Sequence, residues 1–251
     1  MSHTTTRFVI LGQARSGTWF YTHLLNQHPL VIAAGELFHF SATVRREMFA
    51  SILPNGDVNA ELHAMNGQLR PYVYDPIAEA NPNARAIGFK LLYEHADGWW
   101  ARGDRCLERD TSVRVLHIVR NDPLNVLISW RIACLDQSWW GTRTTRQIWI
   151  DPASALEWLR RREQWLAWAE NLRGSHAMLS VSYDQMIANP QAAMDKACDF
   201  LSIDSIAVTK PAYERQDIRQ HLRDKIENYD QLVSVLENTR WALPNREQCD
   251  E

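Results

Sequence analysis

Short unbroken apolar runs alternate with segments of three-to-four-residue periodicity along most of the chain. Residues 8–11 (FVIL) are apolar throughout and end at Gly12. A run that short, with no polar alternation, predicts a strand buried on both faces of a parallel sheet. The runs at 30–34, 86–93 (AIGFKLLY), 113–119 (VRVLHIV) and 177–183 predict strands two to five. Helical spacing predicts helices over 18–26 (Trp19, Leu24, Leu25), 124–135, 152–172, 190–201 and 222–236. In the 152–172 segment Pro152 fits the first turn, and Leu156, Leu159, Trp165, Leu166 and Ala169 fall on one face. Trp158, Trp165 and Trp168 share that spacing and are expected in the core. Residues 52–83, rich in Asn, Pro and Gly, read as loops with a short helix. Residues 136–151 show no clear period and read as a substrate-facing loop or lid. Strands alternating with helices imply an α/β fold, a mostly parallel sheet flanked by helices. Ligands of such sheets sit beyond the carboxyl ends of the strands.

Length and composition narrow this picture. The 251 residues suit one domain, 1–251. Lys plus Arg is 27 against 30 Asp plus Glu, a net charge of −3, which argues against a general nucleic-acid binder. Four Cys at wide spacing (106, 134, 198, 249) form no CxxC pair and fit reduced thiols of a cytoplasmic protein. No apolar run approaches the roughly 20 residues of a membrane span, and the N-terminus lacks the pattern of a secretory signal. Eleven Trp is a surplus, concentrated between Trp99 and Trp168.

The turn after strand one reads GQARSGT, residues 12–18. The Gly12-x4-Gly17 spacing is that of a phosphate loop, where backbone N–H groups and a helix N-terminus can cradle an anion. The Lys-Ser/Thr pair that an ATPase needs after the second Gly is absent; Thr18-Trp19 stands there. A cation, Arg15, lies inside the loop, flanked by the hydroxyls of Ser16 and Thr18. The loop could therefore hold a phosphate or sulfate without metal. A tight turn with ordinary helix-start chemistry is the alternative.

The segment RFVILGQARSGTWFYTHLLNQHPLVIAAGELF resembles the start of the sulfotransferases that use 3′-phosphoadenylyl sulfate (PAPS), with a strand, a loop, a helix and then His-Pro. Three stretches follow in family order: IVRNDPLNVLISW (118–130), similar to the 3′-phosphate motif; VSYDQMIANPQAAMDKACDFLSI (181–203); and RQDIRQHLRDKIENYDQLVSVLENTRW (215–241). The Gly-Glu after strand two and the AIGFKLLY strand look most like the bacterial carbohydrate branch, which includes the nodulation-factor and trehalose sulfotransferases. Ala14 stands where the family commonly has Pro, and Arg15 where many members have Lys.

The resemblance implies roles. Arg15 would grip the leaving-group phosphate oxygens, with the backbone amides of Ser16, Gly17, Thr18 and Trp19 completing the cradle. Arg120 and Ser129 would hold the 3′-phosphate, joined by Arg215 and Arg219. Tyr183 would touch the adenine. A hydroxyl acceptor needs a general base: Glu36, beside Gly35 at the end of strand two, resembles the base of the carbohydrate branch, with His39 and His95 as alternatives. Lys90 could assist the leaving group. The implied co-substrate is PAPS, the product PAP, and no metal is called for, since sulfuryl transfer develops less charge than phosphoryl transfer. The acceptor would be a carbohydrate, glycolipid or other small hydroxyl compound, with specificity in loops 37–85 and 136–151. Trp139, Trp140 and Trp149, with Arg143 and Arg146, could wall its site. A nucleotide kinase and a non-catalytic nucleotide-binding module are the competing readings. The Trp surplus and an amphipathic last helix leave a homodimer open.

Overall fold

The computed structural model describes residues 5–39, 41–52, 69–95, 107, 110–139, 144–212, 219 and 221–242. The chain divides into two compact units, Met1–Asn121 with Ala167–Ala212, and Asp122–Leu166 with Tyr213–Glu251.

The first unit is built on five strands, β1 (Thr6–Gly12), β2 (Val31–Ala34), β3 (Ala86–Leu92), β4 (Arg114–Val119) and β5 (Met178–Ser182). Their order is β2-β3-β1-β4-β5, and every pairing is parallel. β1 is central, with Ile10 opposite Lys90 of β3 and Leu116 of β4. Phe8, Val9, Ile10 and Leu11 are fully buried, as a strand covered on both faces requires. Helices α1 (Thr18–Leu25), α2 (Ala42–Ile52), α3 (Asp75–Ala80), α6 (Tyr183–Ala188) and α7 (Pro190–Leu201) complete this unit, with a π-helical turn at Arg70–Tyr74. All five expected strands are present. Two helices were not foreseen. α2 falls in a stretch expected to be loop, and α6 occupies the interval between β5 and α7, capped by the Ser182 hydroxyl accepting from the Gln185 N–H.

The second unit holds α4 (Pro123–Asp136) and α8 (Tyr229–Leu236). It also holds most of α5 (Pro152–Leu172), whose last residues belong to the first unit. Leu124, Leu127, Ile128, Ile150, Leu159, Ile226 and Leu232 form its core. The single helix expected over 222–236 is instead a 3₁₀ turn, Leu222–Asp224, followed by α8. The chain between them leaves the helix in a turn held by one β-bridge. Ile226 bridges Ile148 in parallel, and the Asn228 side chain donates to the Ile150 carbonyl at 2.8 Å and accepts from its N–H at 3.0 Å. Trp158, Trp165 and Trp168 are half-buried rather than core, because the sunken face of α5 carries Ala155, Leu159 and Ala169. Among the described residues no helix is long and apolar enough to cross a membrane.

Candidate active site

The loop from Gly12 to Thr18 connects the carboxyl end of β1 to α1, at the centre of the sheet. Its shape depends on two left-handed residues, Arg15 at φ 69° and Gly17 at φ 90°. A side chain at Gly17 is excluded twice over. The conformation disfavours it, and a Cβ there would lie 2.6 Å from Cδ2 of Tyr183. The Ser16 hydroxyl is buried and donates to the Gln13 carbonyl at 2.6 Å, which closes the loop on itself. Thr18 is buried at the start of α1, and the half-buried Trp19 ring stacks on His23 at 3.6 Å.

Arg120, one residue beyond β4, reaches this loop. Its Nη1 donates to the Arg15 carbonyl at 3.2 Å, and its guanidinium lies 4.6 Å from the centre of the Tyr183 ring. Tyr183 is buried at the start of α6. Arg15, Gly17, Arg120 and Tyr183, drawn from three strand-to-helix junctions, thus converge on one turn. Sequence reasoning missed Glu94. Both of its carboxylate oxygens lie 3.3 Å from the Ala14 N–H and accept from it. A proline at position 14 would offer no such donor.

Glu36 follows β2, and Lys90 lies within β3. The Lys90 Nζ is 2.6 Å from Glu36 Oε1, and His95 Nε2 is 3.5 Å from Oε2. The Lys90 N–H also donates to the Gly35 carbonyl at 3.1 Å, fixing the backbone beside the carboxylate. Burial pushes the Glu36 carboxyl up, but Lys90, His95 and His39 together outweigh it and hold the group below its ordinary range. Burial lowers His95 to about 4, and burial with Arg45 nearby lowers His39. The ring of His39 meets that of His95 edge-on at 5.5 Å. The Arg45 guanidinium, buried on α2, donates to the His39 carbonyl at 2.6 Å.

Glu36, His39 and His95 place one donor atom each within 4.8 Å of one another, close enough to converge on a cation. Other contacts already engage that set. Lys90 neutralises Glu36, and the Ser41 N–H donates to His39 Nδ1 at 3.0 Å, which puts a neutral ring's proton on Nε2. The cluster is therefore arranged for handling a proton next to a fixed positive charge.

The second unit carries the remaining expected site residues. Ser129 is half-buried on α4. Arg219 donates to three backbone carbonyls, those of Thr145, Arg146 and Asp224, at 2.9, 2.8 and 2.5 Å. Trp139 and Trp149 are exposed, and Arg146 pairs with Asp136 at 3.5 Å. Arg215, Trp140 and Arg143 lie outside the described residues.

This architecture is that of the sulfotransferase fold. The chain is similar to a sulfotransferase from Alicyclobacillus acidocaldarius, at 15% identity over 93% of this chain and 95% of that one, with a TM-score of 0.52. It is also similar to sulfotransferase STF9 from Mycobacterium avium, at 12% identity over 92% and 75%, with a TM-score of 0.51. A third likeness is to a sulfotransferase domain from the curacin biosynthetic pathway, at 16% identity over 87% and 82%, with a TM-score of 0.51. At these identities the likeness is one of fold. Residues 112–207, which carry Arg120, Ser129 and Tyr183, match the model of the sulfotransferase family. That match covers less than half of the chain, and the likeness of the whole is one of fold. The sequence matches no curated protein.

Proposed function

We propose that the protein is a PAPS-dependent sulfotransferase of 251 residues working as one domain. It would transfer a sulfuryl group to a hydroxyl of a carbohydrate, glycolipid or other small acceptor, without a metal. One observation carries this reading: the β1–α1 loop has a cation, Arg120, and an aromatic ring, Tyr183, packed directly on its backbone. An anion-cradling turn with an adjacent cation and a flat ring suits a nucleotide bearing several phosphates.

In the proposed reaction the acceptor oxygen forms a bond to sulfur as the sulfur–oxygen bond to the donor phosphate breaks. The hydroxyl proton passes to the Glu36 carboxylate, which the Lys90 ammonium beside it keeps ionised at neutral pH. Lys90 holds Glu36 in one orientation and supplies fixed positive charge beside it. Arg15 and the loop amides take up the charge that grows on the leaving phosphate. Ser129, Arg215 and Arg219 enter as 3′-phosphate ligands through family resemblance alone. The reaction is placed in the cytoplasm, where Cys134 and Cys198, both unpaired, would remain thiols.

Isothermal titration of PAP without metal, into the native protein and an Arg120→Ala variant, tests the reading. Micromolar binding that the variant loses is expected. Absence of binding to the native protein overturns it. A requirement for ATP and Mg²⁺ in turnover would indicate a nucleotide kinase instead. PAP binding without transfer to any acceptor would indicate a binding module.

A further inference from the structure

In the second unit, helices α4 and α5 border a groove of about 580 Å³, which shares no residue with the β1–α1 loop or the Glu36 cluster described above. That volume lies within the roughly 300–1,000 Å³ of small-molecule pockets. Its floor is apolar, with Leu127, Ile150 and Ala155 each nearly fully buried. Its walls include Trp130 of α4 and Trp158 of α5, both half-buried against the core of the unit. This placement accounts for Trp158 being only half covered.

The rim is charged in an uneven way. Arg131, Arg160 and Arg161 line it, against the carboxylates of Asp151 and Glu157. Asp151 is already committed, since its Oδ2 accepts from the Ser154 N–H at 2.8 Å at the start of α5. Three guanidiniums therefore face two carboxylates, a net positive rim. Indole faces accept flat rings, and guanidiniums pair with oxyanions through paired N–H donors.

We propose that this groove is a second ligand site, and that it binds a ring-bearing organic sulfate, its ring on Trp130 and Trp158 and its oxyanion on the rim arginines. The groove and its preference for a ring-bearing anion stand on the lining residues. The choice of sulfate as that anion rests on the proposed sulfuryl transfer, whose products are organic sulfates.

The test is isothermal titration of the full chain with 4-nitrophenyl sulfate and with glucose 6-sulfate, beside neutral 4-nitrophenol and inorganic sulfate. The same titrations are made on an Arg131→Gln/Arg161→Gln double variant, which leaves the packed indoles in place, with PAP titrated into both proteins. Expected is binding of at least one organic sulfate, weaker by about tenfold or more in the double variant, with PAP affinity unchanged. Tighter 4-nitrophenyl sulfate assigns an aryl ligand and tighter glucose 6-sulfate a glycosyl one, and either supports the site. Equal affinity in the double variant, equal binding of 4-nitrophenol, or no binding at all overturns it. Loss of PAP binding to the native protein with organic-sulfate binding retained defeats the proposed reaction and leaves the groove standing.

Discussion

The Lys90 ammonium lies 2.6 Å from Glu36 Oε1, in a pair whose side chains are 10% and 24% exposed. Removing two charges from water is costly, and such a pair is rarely the most stabilising choice for its volume. Its position at the carboxyl ends of β2 and β3, with His95 on the other carboxylate oxygen, fits a functional role for the cost.

Two substitutions separate the parts of this pair. Glu36→Gln is expected to lower kcat by about 100-fold or more while PAP binding stays near native, which is the weight of a general base. Lys90→Met should act differently. Without the ammonium, burial dominates the Glu36 carboxyl and pushes its pKa up. The acid limb of the kcat profile should then move to higher pH by about one unit or more. Steady-state rates against pH for the three proteins make the check. A Glu36→Gln enzyme with normal turnover refutes the assignment, and an unmoved limb in Lys90→Met refutes the electrostatic account.

Gly17→Ala places a methyl 2.6 Å from the Tyr183 ring at a backbone φ of 90°. Loop and ring must part, and Arg120 packs on that ring. PAP affinity should fall about tenfold or more while most of the stability remains, since strain of this kind costs roughly 1–3 kcal/mol. Titration calorimetry with a parallel thermal melt is the measurement. Native PAP affinity in a folded Gly17→Ala protein would mean that the loop does not hold the nucleotide.

The strands and the loop were legible because strands buried on both faces leave unbroken apolar runs, and because Gly12 and Gly17 mark a turn chemistry that few other residues permit. Helix α2 was not. It puts Arg45, only 7% exposed, at a position facing inward, so its pattern reads as polar. The break in the helix before α8 was hidden for a related reason. Asn228 serves as a strand-like partner through its side chain, which periodicity cannot register. Glu36 was visible as a carboxylate at a strand end, but its partner Lys90 lies 54 positions away in sequence and meets it only through the β2–β3 pairing. Glu94 left no signal, because the group it binds is the backbone N–H of Ala14.

Tyr21, fully buried on α1, has a hydroxyl without a hydrogen-bond partner, and burial beside Cys198 pushes its pKa well up. A buried hydroxyl lacking a partner costs about 1–3 kcal/mol. Tyr21→Phe removes only that oxygen. It should stabilise the protein by about 1 kcal/mol and raise Tm by about 2–4 °C. Differential scanning calorimetry decides it, and a lower Tm would show that the hydroxyl is satisfied.

His117, in the middle of β4 and fully buried, pairs through Nε2 with the Tyr93 hydroxyl, and its Nδ1 lies 3.9 Å from Glu170. Burial lowers its pKa from 6.5 to about 4, with the Glu170 carboxylate opposing the shift and Arg173 adding to it. The unfolded chain therefore binds this proton at a higher pH than the folded one. The sign follows: the contribution of His117 is complete above about pH 6.5 and is lost progressively as pH falls toward 4. At pH 5 one such group accounts for about 2 kcal/mol of lost stability relative to pH 7.5. Urea unfolding of the native protein and of a His117→Gln variant at the two pH values isolates it. The variant starts less stable at pH 7.5 but should lose about 2 kcal/mol less on acidification. Equal losses in the two proteins would show that His117 does not titrate between its folded and unfolded states in this range.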